Sequence, residues 1–145
     1  NLINKMINND VLIRDSNIAI MGLSFKENTK DTRNSKVFEI IKLLENYDVN
    51  IEVFDPHLDI DTGLSNCRLN IRTFDELYNL DAIILAVPHN EFKKITLENL
   101  NDKFRNQDKK ILIDVKSMFK IADLDKHDYI YWRLWKNNFD IHLTL

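Results

Sequence analysis

Apolar residues recur along this chain in two rhythms. Leu2, Ile3, Met6, Ile7 and Val11 fall on one helical stripe, so residues 1–12 read as helix. NIAIM, residues 17–21, is a short continuous apolar run that ends at Gly22 and reads as a strand. Helical spacing returns in Val37, Phe38, Ile40, Ile41 and Leu44, which predicts a helix over 35–46 with Asn34 or Ser35 placed to cap it. VNIEVF at 49–54 is a second strand, closed by Asp55 and Pro56. DAIILAV at 81–87 and KKILIDV at 109–115 are two more, and YIYWRL at 129–134 reads as a last strand or extended element. TFDELY at 73–78 is predicted as a short helix, with Thr73 as cap and Glu76 at the third position. Residues 91–100 read as short helical or loop material, 116–128 as loop with at most one helical turn, and the polar stretch from Asp55 to Thr73 as irregular.

Strands alternate with helices, and the runs at 81–87 and 111–113 are apolar on both faces. Both features predict an α/β fold of three layers, a mostly parallel Rossmann-like sheet with helices on each side. Residues 15–145 are read as one domain. The stripe over residues 1–14 starts without a cap signal and is read as the end of a longer helix.

Composition narrows the partners. The chain has 145 residues, 44% of them hydrophobic, which suits one real core. Its formal net charge of -3 calls for neither nucleic acid nor an anionic membrane, and no apolar run approaches a membrane span. NLINKMINND lacks the features of a secretion signal, and the single cysteine allows no internal disulfide, so a cytoplasmic location is expected. Two glycines cannot build a glycine-rich phosphate loop. His57 and His89 are far apart, and no short-spaced cluster of metal ligands accompanies them. Cys67, between Asn66 and Arg68, reads as incidental. Tyr129, Tyr131, Trp132 and Trp135 are assigned to core or subunit packing.

Ligands of an open parallel sheet bind outside the carboxyl ends of its strands. Here the strand exits run into SFKENTKDTR, DPH, PHNEF and DVKSMF. Lys26, Arg33, His89 and Lys116 are therefore candidates for one cationic patch. Lys26 and Lys30 offer point charges and Arg33 a planar fork for an oxyanion. Asp31 either holds Arg33 in an ion pair or receives a sugar hydroxyl. A solvated loop is the alternative for the whole segment. Asp55 starts a turn, orders its loop or accepts from a hydroxyl. His89 donates to a phosphate or a backbone carbonyl, or is structural. Phe92 is a core anchor or a stacking platform. Asp114 pairs with Lys116, or Lys116 turns to a ligand phosphate.

Gly22, Phe25, Lys26, Asp31, Arg33 and Ser35 stand in a pattern close to G-x-x-F-K followed by D-x-R-x-S. With VFDP at 53–56, AVPHNEF at 86–92, IDVKSMF at 113–119 and YWRL at 131–134, the chain resembles the C-terminal domain of the UDP-glucose/GDP-mannose dehydrogenase family. The late element resembles the bacterial branch acting on UDP-N-acetylhexosamines. The resemblance covers about residues 15–135 and implies a UDP-sugar-binding domain. By the same resemblance, the domain would belong to an enzyme that oxidises the sugar C6 alcohol to a carboxylate in two NAD-dependent steps, for surface polysaccharide. It further implies an N-terminal Rossmann domain outside this chain, the end of an interdomain helix at 1–14, and a homodimer for the full-length enzyme. Phe25, Lys26 and Lys116 would meet the UDP-sugar and Arg33 the NAD cofactor, with Asp31, His89 and Asp114 in support. No catalytic residue is expected here. The family's catalytic cysteine lies in a segment before this domain, Cys67 does not take that role, and the chain alone is expected to be inactive. Pro88 departs from the small residue usual before the histidine. Two other readings stand beside this one: a stand-alone nucleotide-binding module, and a non-catalytic interaction domain.

Overall fold

The computed structural model describes residues 1–58 and 69–134. Six strands form one sheet: β1 (Asn17–Met21), β2 (Asn50–Phe54), β3 (Asn70–Ile71), β4 (Ala82–Leu85), β5 (Ile111–Asp114) and β6 (Ile130–Arg133). Their order is β3-β2-β1-β4-β5-β6, and every neighbouring pair is parallel. The helices are α1 (Leu2–Asn8), α2 (Val37–Glu45), α3 (Leu97–Asn101) and α4 (Ile121–Lys126), with a 3-10 turn at Asn90–Lys94.

Strand alternation sorts the core into two layers. Ile18, Ile20, Ala82, Ile84, Ile111 and Ile113 face α1 and α2, which bring Leu2, Met6, Val37, Ile41 and Leu44. Ala19, Met21, Ile83, Leu85 and Leu112 face the opposite side, covered by Phe92, Leu97, Leu100 and Leu124. Apolar demand on both faces explains why β4 and β5 read as unbroken apolar runs. Phe92 is 1% exposed and packs on Phe54 at 5.5 Å, which makes it a core anchor. Tyr129 and Trp132 also pack into the layers, whereas Trp135 and Cys67 lie outside the described residues.

The fold departs from the sequence-based reading in five places. α1 stops at Asn8 rather than at residue 12, because the Asn9 and Val11 N–H groups turn back to the Met6 carbonyl and that of Asp10 to Ile7. The segment 73–78 is a hydrogen-bonded turn, not a helix. The Thr73 N–H and hydroxyl both donate to Glu76 Oε2, so the anticipated side-chain pairing forms without a following helix. The chain must straighten at Leu80, which bridges Phe104, before entering β4. β4 stops at Leu85 rather than 87, because the Ala86 and Val87 N–H groups both turn to the Met21 carbonyl. β3, two residues long, emerges from the stretch read as irregular and pairs with β2 at Glu52 and Val53. Residues 121–126 form a six-residue helix, longer than the single turn expected.

Candidate functional site

The chain runs from β1 outward to β2 and β3, then returns to place β4 on the other side of β1. The carboxyl ends of β1 and β4 therefore part at a topological switch point, where open α/β sheets bind ligands. A cleft of about 500 Å³ lies there. Val37 and Ile40 from α2, Ala86 and Val87 after β4, and Val115 after β5 form an apolar floor. Phe25, 55% exposed, stands at its mouth. Lys26, Lys36 and Lys116 supply positive charge, against Glu27 as the carboxylate of the lining.

The loop after β1 is a braced frame. Its hub is Asp55, only 3% exposed, at the exit of β2. Asp55 Oδ2 accepts from the Leu23 N–H at 2.7 Å, the Ser24 N–H at 3.0 Å, the Ser24 hydroxyl at 2.8 Å and His89 Nε2 at 3.0 Å. Its Oδ1 accepts from the His57 N–H at 2.9 Å. Burial pushes the carboxyl pKa up, but hydrogen bonds from His89, His57, Leu23 and Ser24 outweigh it and hold the group well below the usual carboxylate range. Asp55 also starts the turn that Leu58 closes on its carbonyl, so it both turns the chain and orders the loop.

His89 is wholly buried and does not join the cationic patch. Its Nδ1 accepts the Asn28 N–H at 2.9 Å, which leaves the ring proton on Nε2, donated to Asp55. Asn28, at φ 56, closes the clasp by accepting the Asn90 N–H at Oδ1, 2.8 Å away. Both ring nitrogens are spent on tying the β4 exit to the loops after β1 and β2, so neither reaches a phosphate or a backbone carbonyl. Gly22 has φ 89, and a Cβ there would lie 2.5 Å from the Val87 carbonyl oxygen; the two exits touch at a point that only glycine allows.

Arg33 also lies outside the cleft lining. Asp31 holds it as a fork, through Nε at 3.0 Å and Nη2 at 2.9 Å, so the ion pair and not the hydroxyl acceptor is the arrangement found. Those bonds lower the Asp31 pKa to about 2 and raise that of Arg33. The guanidinium side chain still keeps 87% of its surface exposed. The Asp31 carbonyl accepts the Phe25 N–H at 2.7 Å, which folds the loop back on itself. Asp114 does not pair with Lys116. Its two oxygens accept the Met118 and Phe119 N–H groups at 2.9 and 3.0 Å, fixing the turn that carries Lys116 toward the cleft.

Of the predicted site residues, the fold thus brings Phe25, Lys26 and Lys116 to one cleft, with Asp114 behind Lys116 and His89 behind the loop, and sets Asp31 and Arg33 apart. Sequence reasoning missed Lys36, Asn28 and the hub role of Asp55. The one signal available for Asp55 was a carboxylate directly after a strand, facing a histidine at another strand's end. Among the described residues no group of three His, Cys, Asp or Glu side chains could hold a metal ion.

An open parallel sheet with this cleft, apolar below and cationic at the rim, is an α/β domain suited to an anionic ligand that carries an apolar or ring-bearing part. Residues 19–121 match the UDP binding domain of the UDP-glucose/GDP-mannose dehydrogenase family, and the chain belongs to that family. It is 32% identical over 127 residues to a UDP-N-acetyl-D-glucosamine 6-dehydrogenase of Pseudomonas aeruginosa, covering 88% of this chain and 29% of that protein. It is 30% identical over 129 residues to a UDP-glucose 6-dehydrogenase of Rickettsia conorii, covering 83% of this chain and 28% of that protein. In fold it is similar to an NDP-N-acetyl-D-galactosaminuronic acid dehydrogenase from Methanosarcina mazei, with TM-score 0.77, 16% identity, and coverage of 90% of this chain and 27% of the other. The chain therefore spans less than a third of the length of these relatives. Among the described residues no helix is long and apolar enough to cross a membrane.

Proposed function

We propose that this chain is the substrate-binding part of an NAD-dependent UDP-sugar 6-dehydrogenase that makes UDP-uronic acids for surface polysaccharide in the bacterial cytoplasm. The carrying observation is the switch-point cleft, in which Lys26 and Lys116 face an apolar floor beside Phe25, within the stretch matched to the family's UDP binding domain. The lysines hold the diphosphate as point charges. Phe25 and the valine floor take the flat or apolar part of the ligand, and the clasp of Asp55, Asn28 and His89 keeps the loop in its binding shape, so little ordering cost falls on association.

The reaction oxidises a C6 alcohol to a carboxylate in two steps, and NAD when bound supplies the hydride acceptance. Arg33 is the residue here that would meet it. Its exposed fork, already oriented by Asp31, suits a cofactor diphosphate. Residues 1–14, with α1 over Leu2–Asn8, lead in from a helix joining this domain to an N-terminal Rossmann domain, which carries the dinucleotide site and the catalytic cysteine, and the full-length enzyme is a homodimer. UDP-N-acetylglucosamine and UDP-N-acetylgalactosamine are the favoured substrates, supported by the hexosamine dehydrogenase among the relatives.

Calorimetry of the chain against UDP-N-acetylglucosamine, UDP-N-acetylgalactosamine, UDP-glucose and GDP-mannose tests this reading. Binding of UDP-sugars with GDP-mannose weaker supports it. Equal binding of UDP and GDP sugars overturns the UDP assignment, and no binding of any overturns the nucleotide-sugar reading.

A further inference from the structure

Lys36 places a positive charge at the start of α2. It opens α2 with helical backbone angles, φ -68 and ψ -12, directly after Ser35, whose hydroxyl caps the Val37 N–H at 3.3 Å. A cation at a helix N-terminus opposes the helix dipole. Glu39 in the first turn offsets this, pairing with Lys36 Nζ at 2.8 Å. Both side chains are largely exposed, at 83% and 68%, so the pair is weakly held and readily exchanged. A local choice that disfavours its own helix is expected where function needs it.

What Lys36 faces supplies the need. It lines the same cleft as Lys26 and Lys116, and three lysines against Glu27 leave that lining two positive charges. A nucleoside diphosphate joined to a sugar carries two negative charges. Without Lys36 the lining would hold one. We propose that Lys36 is a third phosphate-binding cation, parked on Glu39 in the free protein and transferred to the diphosphate when the ligand enters. The inference rests on the nucleotide-sugar reading of the cleft. It adds a specificity device: Lys36 matches the lining to a diphosphate in preference to a singly charged ligand.

The experiment is calorimetry with UDP, with uridine as the uncharged control, at low and at high ionic strength. Lys36→Gln keeps the length and removes the charge. It should weaken UDP about three- to tenfold at low salt, less at high salt, as expected for an exposed and screened contact. Its melting temperature should stay level or rise, because the helix terminus loses an unfavourable charge. Glu39→Gln should tighten UDP binding by freeing Lys36, and this gain should vanish in the Lys36→Gln background, the signature of coupled residues. Lys42→Gln, at the other end of α2, should leave UDP binding unchanged. Equal weakening by Lys42→Gln would reduce the effect to net charge and overturn the proposal, as would unchanged UDP affinity in Lys36→Gln while Lys26→Gln weakens it. Those two outcomes leave the nucleotide-sugar reading standing. Failure of the unaltered chain to bind UDP overturns both.

Discussion

Replacing Asp55 by Asn changes one buried atom and should loosen the whole rim. The carboxylate takes four donors on Oδ2 and one on Oδ1. In asparagine one of those oxygens becomes an NH2 group. The better orientation leaves the carbonyl on the four-donor side and turns the NH2 toward the His57 N–H, donor against donor. A buried donor left unmet costs about 1–3 kcal/mol, and the remaining bonds drop from charged to neutral strength. Relief of the buried charge returns part of that, so the net loss is about 2–4 kcal/mol at neutral pH. For a chain of this size, each kcal/mol shifts melting by about 3–5 °C, which predicts a fall of roughly 6–20 °C by calorimetry. pH supplies a second signature. The folded pKa of Asp55 is depressed, so below the ordinary aspartate value of about 3.9 the unfolded chain binds the proton and the folded chain does not. The stabilisation is present in full above that value and is lost as pH falls toward the folded pKa. The gap between wild type and Asp55→Asn should therefore narrow as pH drops below about 4. A variant that melts within a degree of wild type at pH 7, or a gap that stays constant down to pH 3, would refute the hub assignment.

Gly22→Ala should destabilise the fold by about 2–5 kcal/mol in urea unfolding, from positive-φ strain together with the clash of the new Cβ at 2.5 Å from the Val87 oxygen; a loss under 1 kcal/mol would show that the β1 and β4 exits can separate freely. In the longer enzyme, Lys26→Ala should mainly weaken UDP-sugar and Arg33→Ala mainly NAD, each by about tenfold or more in binding; loss of the same ligand in both variants would end the division of labour. The 145-residue chain supplied with UDP-sugar and NAD should form no NADH by absorbance, since the rim supplies only one side of a cleft that must hold cofactor and sugar together.

Much of this molecule is determined locally. β1 runs over Asn17–Met21 as its apolar run indicates, and the doubly apolar β4 and β5, with strands alternating with helices, favour a parallel sheet covered on both faces, because such a sheet buries every residue of those runs. The parallel sheet then placed the strand exits on one rim, which made Lys26 and Lys116 legible as candidate rim cations from strand ends, whereas Phe25 was indicated only by the family resemblance. Only tertiary structure decided which rim residues face the cleft and which stand behind it. His89 and Asp55 look like ligand-facing polar residues in sequence, but they are 34 positions apart and meet as a buried pair. Their roles depend on the strand order that brings β2 and β4 to either side of β1. Arg33 and Lys26 share one short loop, yet they point to different places because the Asp31 carboxylate captures one of them. Lys36 joined the cleft through the placement of α2 over the sheet, a matter of packing between distant segments. Pattern and composition act over a few residues and so settle the elements. The site is settled by contacts between strand exits far apart in the chain, and those exist only once the sheet has formed.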